Sequence, residues 1–291
     1  KKILSLSLVT VALGLSGCID LGEDDKDNGA SSGVNSVAYT GKTTQANFTS
    51  ETEVKQAYEE YMAATGYVGG EFDFYGEAKV VPTSYTGIAS KMISGYTGGK
   101  YSPKAVQKID ESDTGSCGGS FKIVGTVDDV SGAVDVTFIA NNLCENYSYD
   151  DSTSPKRYTN GSFNLKGDQS SGLTLTYNAF SVKDDAEGDN FEVGGTLKLT
   201  GATSPWGYKT TVDLTLTDNI NNAQLKLENY VVYEEDYSSY YSESGRIYHS
   251  DFGYVDISTL ENLYSDYSYP YPTQGKLRIK AAKTFIIDYL G

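Results

Sequence analysis

The sequence predicts an all-β protein: a single antiparallel meander of about ten strands forming a strongly curved sheet or barrel, with one N-terminal amphipathic helix. Three observations predict it. From Cys117 onward, apolar and polar residues alternate with the period of two that puts one face of a strand on a core and the other in water. Connections as short as Asp218 to Asn222 join successive runs, which makes neighbours antiparallel hairpins. A capped stretch with helical spacing follows Ser50.

Taken in order, Lys1 and Lys2 precede an apolar run from Ile3 to Leu15, broken by Ser5, Ser7, Thr10 and Gly14 and followed by Asp20, Glu23, Asp24 and Asp25. The run falls short of the roughly 20 residues a spanning helix needs, so residues 1–17 read as a secretory signal. Residues 18–49 hold few large apolar side chains and many Asp, Asn, Gly, Ser and Thr, and read as an acidic flexible linker. Roughly thirty such residues reach about 30 Å.

Residues 50–115 are expected to hold the helix and an irregular segment. Ser50 and Glu53 make a capping box, and Val54, Ala57, Tyr58, Tyr61 and Met62 share one face, with Gly66 placed to end the helix. That face suits the edge or open end of a sheet better than a bilayer, because the opposite face carries Glu59 and Glu60. From Tyr67 to Thr114 the pattern is ambiguous between helix and strand.

Residues 116–291 are expected to form the β domain. Runs from Gly119 to Val127 and from Ala133 to Asn141 flank a turn at Asp129 to Gly132. Pairing Phe121 with Ala140, Ile123 with Phe138, Gly125 with Val136 and Val127 with Val134 puts every apolar residue on one side. The same register sets Cys117 opposite Cys144, which predicts a disulfide; a bulge would move it by one residue. Closing a loop of about 28 residues stabilises by about 3.6 kcal/mol in the chain-entropy model. Alternation then recurs at Phe163 and Leu165; Leu173, Leu175 and Tyr177; Phe191, Val193, Leu197 and Leu199; Val212, Leu214 and Leu216; and Leu225, Leu227, Val231 and Tyr233. Later runs centre on Ile247, Val255 and Ile257, Leu277 and Ile279, and Phe285 and Ile287. A membrane barrel has the same alternation, but the apolar content per strand is modest and paired aromatic girdles are missing from the pattern.

Leu15-Ser16-Gly17-Cys18 resembles the lipobox of bacterial lipoproteins at all four positions. The resemblance implies cleavage before Cys18, acyl chains on that residue and a stable membrane anchor, the rival being a plain secretory signal. Ile19 lacks the Asp associated with inner-membrane retention, which implies the outer membrane. Cys117-Gly118-Gly119, Cys144, Asn160-Gly161, Gly245 to Tyr248, Phe252 to Asp256 and Pro272 to Leu277 are similar to a group of uncharacterised lipid-anchored β proteins of Gram-negative bacteria. The similarity covers most of the chain after residue 115 and departs from the group's Gly-rich ending at Ala281-Ala282. It implies fold and location and lends no activity.

The chain carries a net charge of −16, and loss of Lys1 and Lys2 makes the exported part more acidic still. Such a surface repels phosphate backbones, which argues against nucleic acid as a partner. Three constellations could carry chemistry. Asp184, Asp185, Glu187 and Asp189 crowd one turn and could hold calcium, although the spacing matches no EF-hand and also suits a solvated turn. Eleven tyrosines lie between residues 230 and 271. Of these, Tyr237, Tyr240, Tyr241, Tyr267, Tyr269 and Tyr271 are candidates for gripping a glycan or polypeptide, unless they face the core. His249 near Asp251 could act as a base, but no nucleophile elbow, HExxH helix or P-loop accompanies it. The expected function is a non-enzymatic lipoprotein, cofactor-free apart from candidate calcium, that binds an apolar ligand, a glycan or an envelope protein. The alternatives are an envelope-assembly tether and, third, a carboxylate-based glycan hydrolase.

Overall fold

The computed structural model describes residues 37–55, 57–58, 106–128, 131, 133–146, 154–168, 171–186, 188–203, 206–235, 240–264 and 272–290. Twelve strands follow one another: β1 (Gln107–Thr114), β2 (Gly118–Val127), β3 (Val134–Asn146), β4 (Lys156–Asp168), β5 (Gly172–Asp184), β6 (Asp189–Thr203), β7 (Trp206–Asp218), β8 (Ala223–Glu235), β9 (Tyr240–His249), β10 (Gly253–Tyr264), β11 (Gln274–Lys280) and β12 (Thr284–Leu290). Each is antiparallel to the next in one sheet, and spatial order equals chain order, as the short connections require. The strand that alternation misses is β1. Its sequence, QKIDESDT, has Ile109 as its one apolar residue, and it forms because β2 offers a partner that sets Ile109 opposite Gly125.

The predicted β2–β3 register is present: Phe121 lies opposite Ala140, Ile123 opposite Phe138, Gly125 opposite Val136 and Val127 opposite Val134. Past Ser120 a bulge moves it by one, so Gly118 faces Cys144. The Cys117–Cys144 disulfide forms across the bulge, with Cα atoms 5.0 Å apart.

Similar bulges bend the sheet. Asn142, Ala179 and Asn229 take positive φ of 48°, 45° and 48°. Each lies beside a glycine of the adjacent strand, and a Cβ on Gly119 would overlap the carbonyl of Asn142. Asn and Asp side chains satisfy two of the kinks: the Asn142 amide donates to Asn160 Oδ1 at 3.2 Å, and the Asn229 amide donates to Asp213 Oδ1 at 2.7 Å. Every kink resets the inward phase, from Ala140 to Leu143, from Tyr177 to Phe180 and from Leu227 to Tyr230. The last reset corrects the β8 pattern. Tyr230 and Val232 face the core, not Val231 and Tyr233, because a period of two cannot continue through a bulge.

One apolar cluster takes in side chains from Ile109 on β1 to Ile279 on β11, together with Ala46, Phe48, Val54, Ala57 and Tyr58. A one-layer sheet buries so many residues together only by curling around them. Phe121, Phe138, Phe163, Tyr177 and Phe180 fill its middle as a connected run of ring contacts. Outward residues such as Lys122, Thr126, Lys166, Lys198 and Asp213 are exposed, the reverse of the apolar outer band of a membrane barrel. Among the described residues β1 and β12 do not pair, so the sheet is open.

Residues 37–50 strap one end of the sheet and pass through it. On the outer face Val37 lies over Gly194, where any Cβ would collide with it. The Thr40 amide donates to Gln224 Oε1 at 2.7 Å, and Tyr39 packs its ring on Tyr248 at 5.6 Å. Gly41 crosses the β9–β10 turn against Ser250. Residues 44–46 then lie in the plane of the sheet. The Tyr254 amide donates to Thr44 O, the Ala46 amide to Tyr254 O and the Ala282 amide to Ala46 O, at 2.9, 2.9 and 2.8 Å. The chain thus fills the notch between β10 and the β11–β12 turn and emerges inside, where Phe48 is buried. Residues 51–55 and 57–58 are helical and follow within the curl.

Candidate functional site

The helix begins with a variant of the predicted capping box. The Glu53 amide donates to Ser50 Oγ at 3.2 Å, but the Glu53 carboxylate reaches back to Thr49, accepting from its amide at 2.7 Å and its hydroxyl at 3.0 Å. The Thr49 amide bond holds that carboxyl below its ordinary range. Val54, Ala57 and Tyr58 are buried as predicted. Tyr61, Met62 and Gly66 lie outside the described residues.

Tyr58 reaches a polar knot within the core. Its hydroxyl donates to Glu243 Oε1 at 2.5 Å, and Tyr230 donates to Glu243 Oε2 at 2.6 Å. Glu243 sits on the inward face of β9 and is 4% exposed. Its amide donates to Thr259 Oγ1 at 2.8 Å, which fixes the backbone beneath it. Burial pushes the Glu243 carboxyl above its ordinary range, and the two tyrosine hydrogen bonds pull the other way. Burial likewise drives the Tyr58 and Tyr230 phenols well above theirs, with the facing carboxylate adding to the shift. Both carboxylate oxygens are engaged, so this group fastens the helix to β8 and β9 and presents neither oxygen outward. A period-of-two scan around residue 243 shows a lone Glu at an inward position, a signal that sequence reading passed over.

The tyrosine candidates divide. Tyr240 is 40% exposed and packs its ring on Tyr264 at 5.1 Å, opposite each other on the outer face of β9 and β10. Tyr241 turns inward and packs against the core, where burial raises its phenol. It is partly buried there and does not share the outer face with Tyr240 and Tyr264. Tyr237, Tyr267, Tyr269 and Tyr271 lie outside the described residues, as does Cys18.

On the outer face of β8 to β10, Lys226 lies over the Tyr248 ring at 5.0 Å and Arg246 over Tyr254 at 4.1 Å. Arg246 also pairs with Asp256 at 2.7 Å, and Tyr248 donates to Glu228 at 3.1 Å. Tyr39 of the strap rests on this ladder, so its aromatic surface is used to hold the strap.

The described carboxylates of the acidic turn, Asp184 and Asp185, are committed to separate partners. Asp184 is 3% exposed, pairs with Arg157 at 2.6 Å and caps the Ala186 amide at 2.9 Å. Asp185 pairs with Lys183 at 3.2 Å. Glu187 and the side chain of Asp189 lie outside the described residues. A carboxylate already committed to a guanidinium and an amide is a poor calcium ligand, so Asp184 reads as a turn anchor. His249 stacks on Phe252 at 4.7 Å and accepts the Asp251 amide at Nδ1, 3.1 Å away. That bond fills the ring nitrogen nearest Asp251 and makes His249 a turn-stabilising residue. No family model, curated protein or solved structure matches the chain.

Proposed function

We propose that this chain is an exported, outer-membrane lipoprotein, anchored through Cys18, whose β domain holds a protein or glycan partner at its Tyr240–Tyr264 rim and performs no catalysis. The observation that carries the reading is the polarity of the sheet. The strap leaves at Val37, by the end that carries the turns at 219–222 and 250–252, whereas Tyr240 and Tyr264 stand at the opposite end. The point at which the strap meets the sheet and the Tyr240–Tyr264 pair therefore lie toward different ends of the strands. The Cys117–Cys144 disulfide supports an oxidising compartment. The apolar curl is filled by its own side chains and by Val54, Ala57 and Tyr58, which favours surface binding over an apolar ligand in the concavity.

Two outcomes test this. Cys18→Ala should move the protein from the membrane fraction to the soluble fraction after cell breakage; a variant that still sediments with membranes and still incorporates labelled acyl chains defeats the anchor. The double substitution Tyr240→Ser and Tyr264→Ser should abolish retention of a glycan or envelope protein by the full chain while leaving its melting temperature within about 2 °C. Retention equal to wild type places the contact elsewhere. Single aromatic hot spots contribute about 2 kcal/mol or more, so a loss of thirtyfold or greater is expected.

A further inference from the structure

Among the described residues β12 has one strand neighbour, β11, and it forms an edge of the open sheet. Phe285, Ile287 and Tyr289 point toward the core and are only partly buried, whereas the inward Leu277 and Ile279 of β11 are almost fully covered. On the outward side Ile286 is 57% and Leu290 90% exposed. The inward side of this edge is thus apolar throughout, and its outward side adds two exposed apolar residues to Thr284 and Asp288. The other edge is different. Outward Lys108, Asp110 and Ser112 alternate along β1, and Glu111 turns inward opposite Ile123 with its Oε2 unpaired. Inward charge on an edge strand discourages strand addition. One edge of this sheet is guarded and one is not.

We propose that β12 pairs antiparallel with β12 of a second copy, about a two-fold axis at Ile287, and joins two sheets into a dimer. The strand is complementary to its own reverse. With Ile287 opposite Ile287, Phe285 lies opposite Tyr289 on the inward side twice over, once from each copy, which is a favourable aromatic cross-strand pair. An axis at Asp288 would set two carboxylates against each other. An axis at Ile286 would leave Tyr289 and Leu290 against the turn at 282–283. Pairing with β1 would bring Glu111 into the apolar row. Asp288 already faces Lys276 at 3.4 Å on its own sheet, so the seam carries no bare carboxylate.

A net charge of −16 on each copy opposes association, and screening relieves that repulsion, so the dimer fraction rises with salt. The two-fold axis sends the strap ends of the two copies in opposite directions. Two anchored copies then lie with their strands along the bilayer. That last point rests on the anchor at Cys18; the pairing itself does not, nor does it depend on what the tyrosine rim holds.

The test is oxidative cross-linking of the full chain in intact cells, with analytical ultracentrifugation of the unsubstituted chain beside it. Directly opposed residues bring Cα atoms to roughly 4.5–5.5 Å, within disulfide range. Ile287→Cys should give a covalent dimer on non-reducing gels, Ser112→Cys on β1 should not, and adding Ile286→Asp, which sets a carboxylate opposite Asp288 of the other copy, should abolish the dimer. Sedimentation of the unsubstituted chain should show a dimer that grows from low to 0.5 M salt. A chain that stays monomeric at every salt concentration, or β12 amides protected from exchange to the same degree at all protein concentrations, overturns the proposal.

Discussion

Glu243→Ala should be among the most destabilising single changes in the molecule. It leaves the buried hydroxyls of Tyr58 and Tyr230 without an acceptor and opens a cavity beneath the helix. At roughly 1–3 kcal/mol per orphaned group, the loss is about 2–6 kcal/mol, a large part of the stability of an ordinary domain. Chemical denaturation measures it, and hydrogen exchange at residues 51–55 locates it. A variant that unfolds with wild type, with those amides still protected, would show that the helix is held by apolar contact alone. Glu243→Gln gives the complementary result. Burial raises the folded-state pKa of Glu243, so its contribution to stability is present below the ordinary carboxylate range, near 4.3, and is lost as pH rises through the raised value. Glutamine keeps the shape and removes the buried charge. The melting temperature of the Gln variant should therefore fall less than that of wild type between pH 4 and pH 8. At the alkaline end the raised phenols of Tyr58 and Tyr230 act in the same sense, and stability declines as pH climbs past about 10.

The second large effect concerns the cross-strand bond. Replacing Cys117 and Cys144 together by Ser should lower stability by about 3.6 kcal/mol, the loop-closure value for the residues between them. Cys144 is 7% exposed, so an added desolvation cost for its Ser makes that a lower bound. Unfolding free energies of oxidised and reduced wild type, from urea titration, should differ by a similar amount. Coincident midpoints would mean that the bulge at Gly118 to Ser120, and not the bond, holds this end of the sheet.

Much of this architecture is legible in sequence because the physics is local. Alternation through Phe121, Ile123 and Val127 against Val134, Phe138 and Ala140 sets both faces and register, and the cysteines follow. The helix is announced by Ser50, Glu53, Val54, Ala57 and Tyr58 within a span of nine residues. What stays hidden is what depends on a neighbour. β1 has no pattern of its own, and the phase reset at Asn229 needs Gly245 and Asp213 from two other strands. Tyr241 is an inward residue only because β10 sets Leu263 opposite it. Asp184 changes from candidate ligand to ion-pair partner because Arg157 on β4 stands opposite. The path of residues 37–48 has the same origin, since nothing in their composition names the turns they bind, at separations of 209 residues and more.

That path also dictates an order of events. The notch filled by Thr44 to Ala46 is bounded on one side by Tyr254 and on the other by Ala282, so its final ladder needs both the first and the last described parts of the chain. Contacts of such long range form slowly, because a loop of more than 200 residues must close before they contribute. Under the export proposed above, the β11–β12 hairpin reaches its seat after the strands that precede it. The strap at residues 44–46 is therefore secured only when β11 and β12 have arrived.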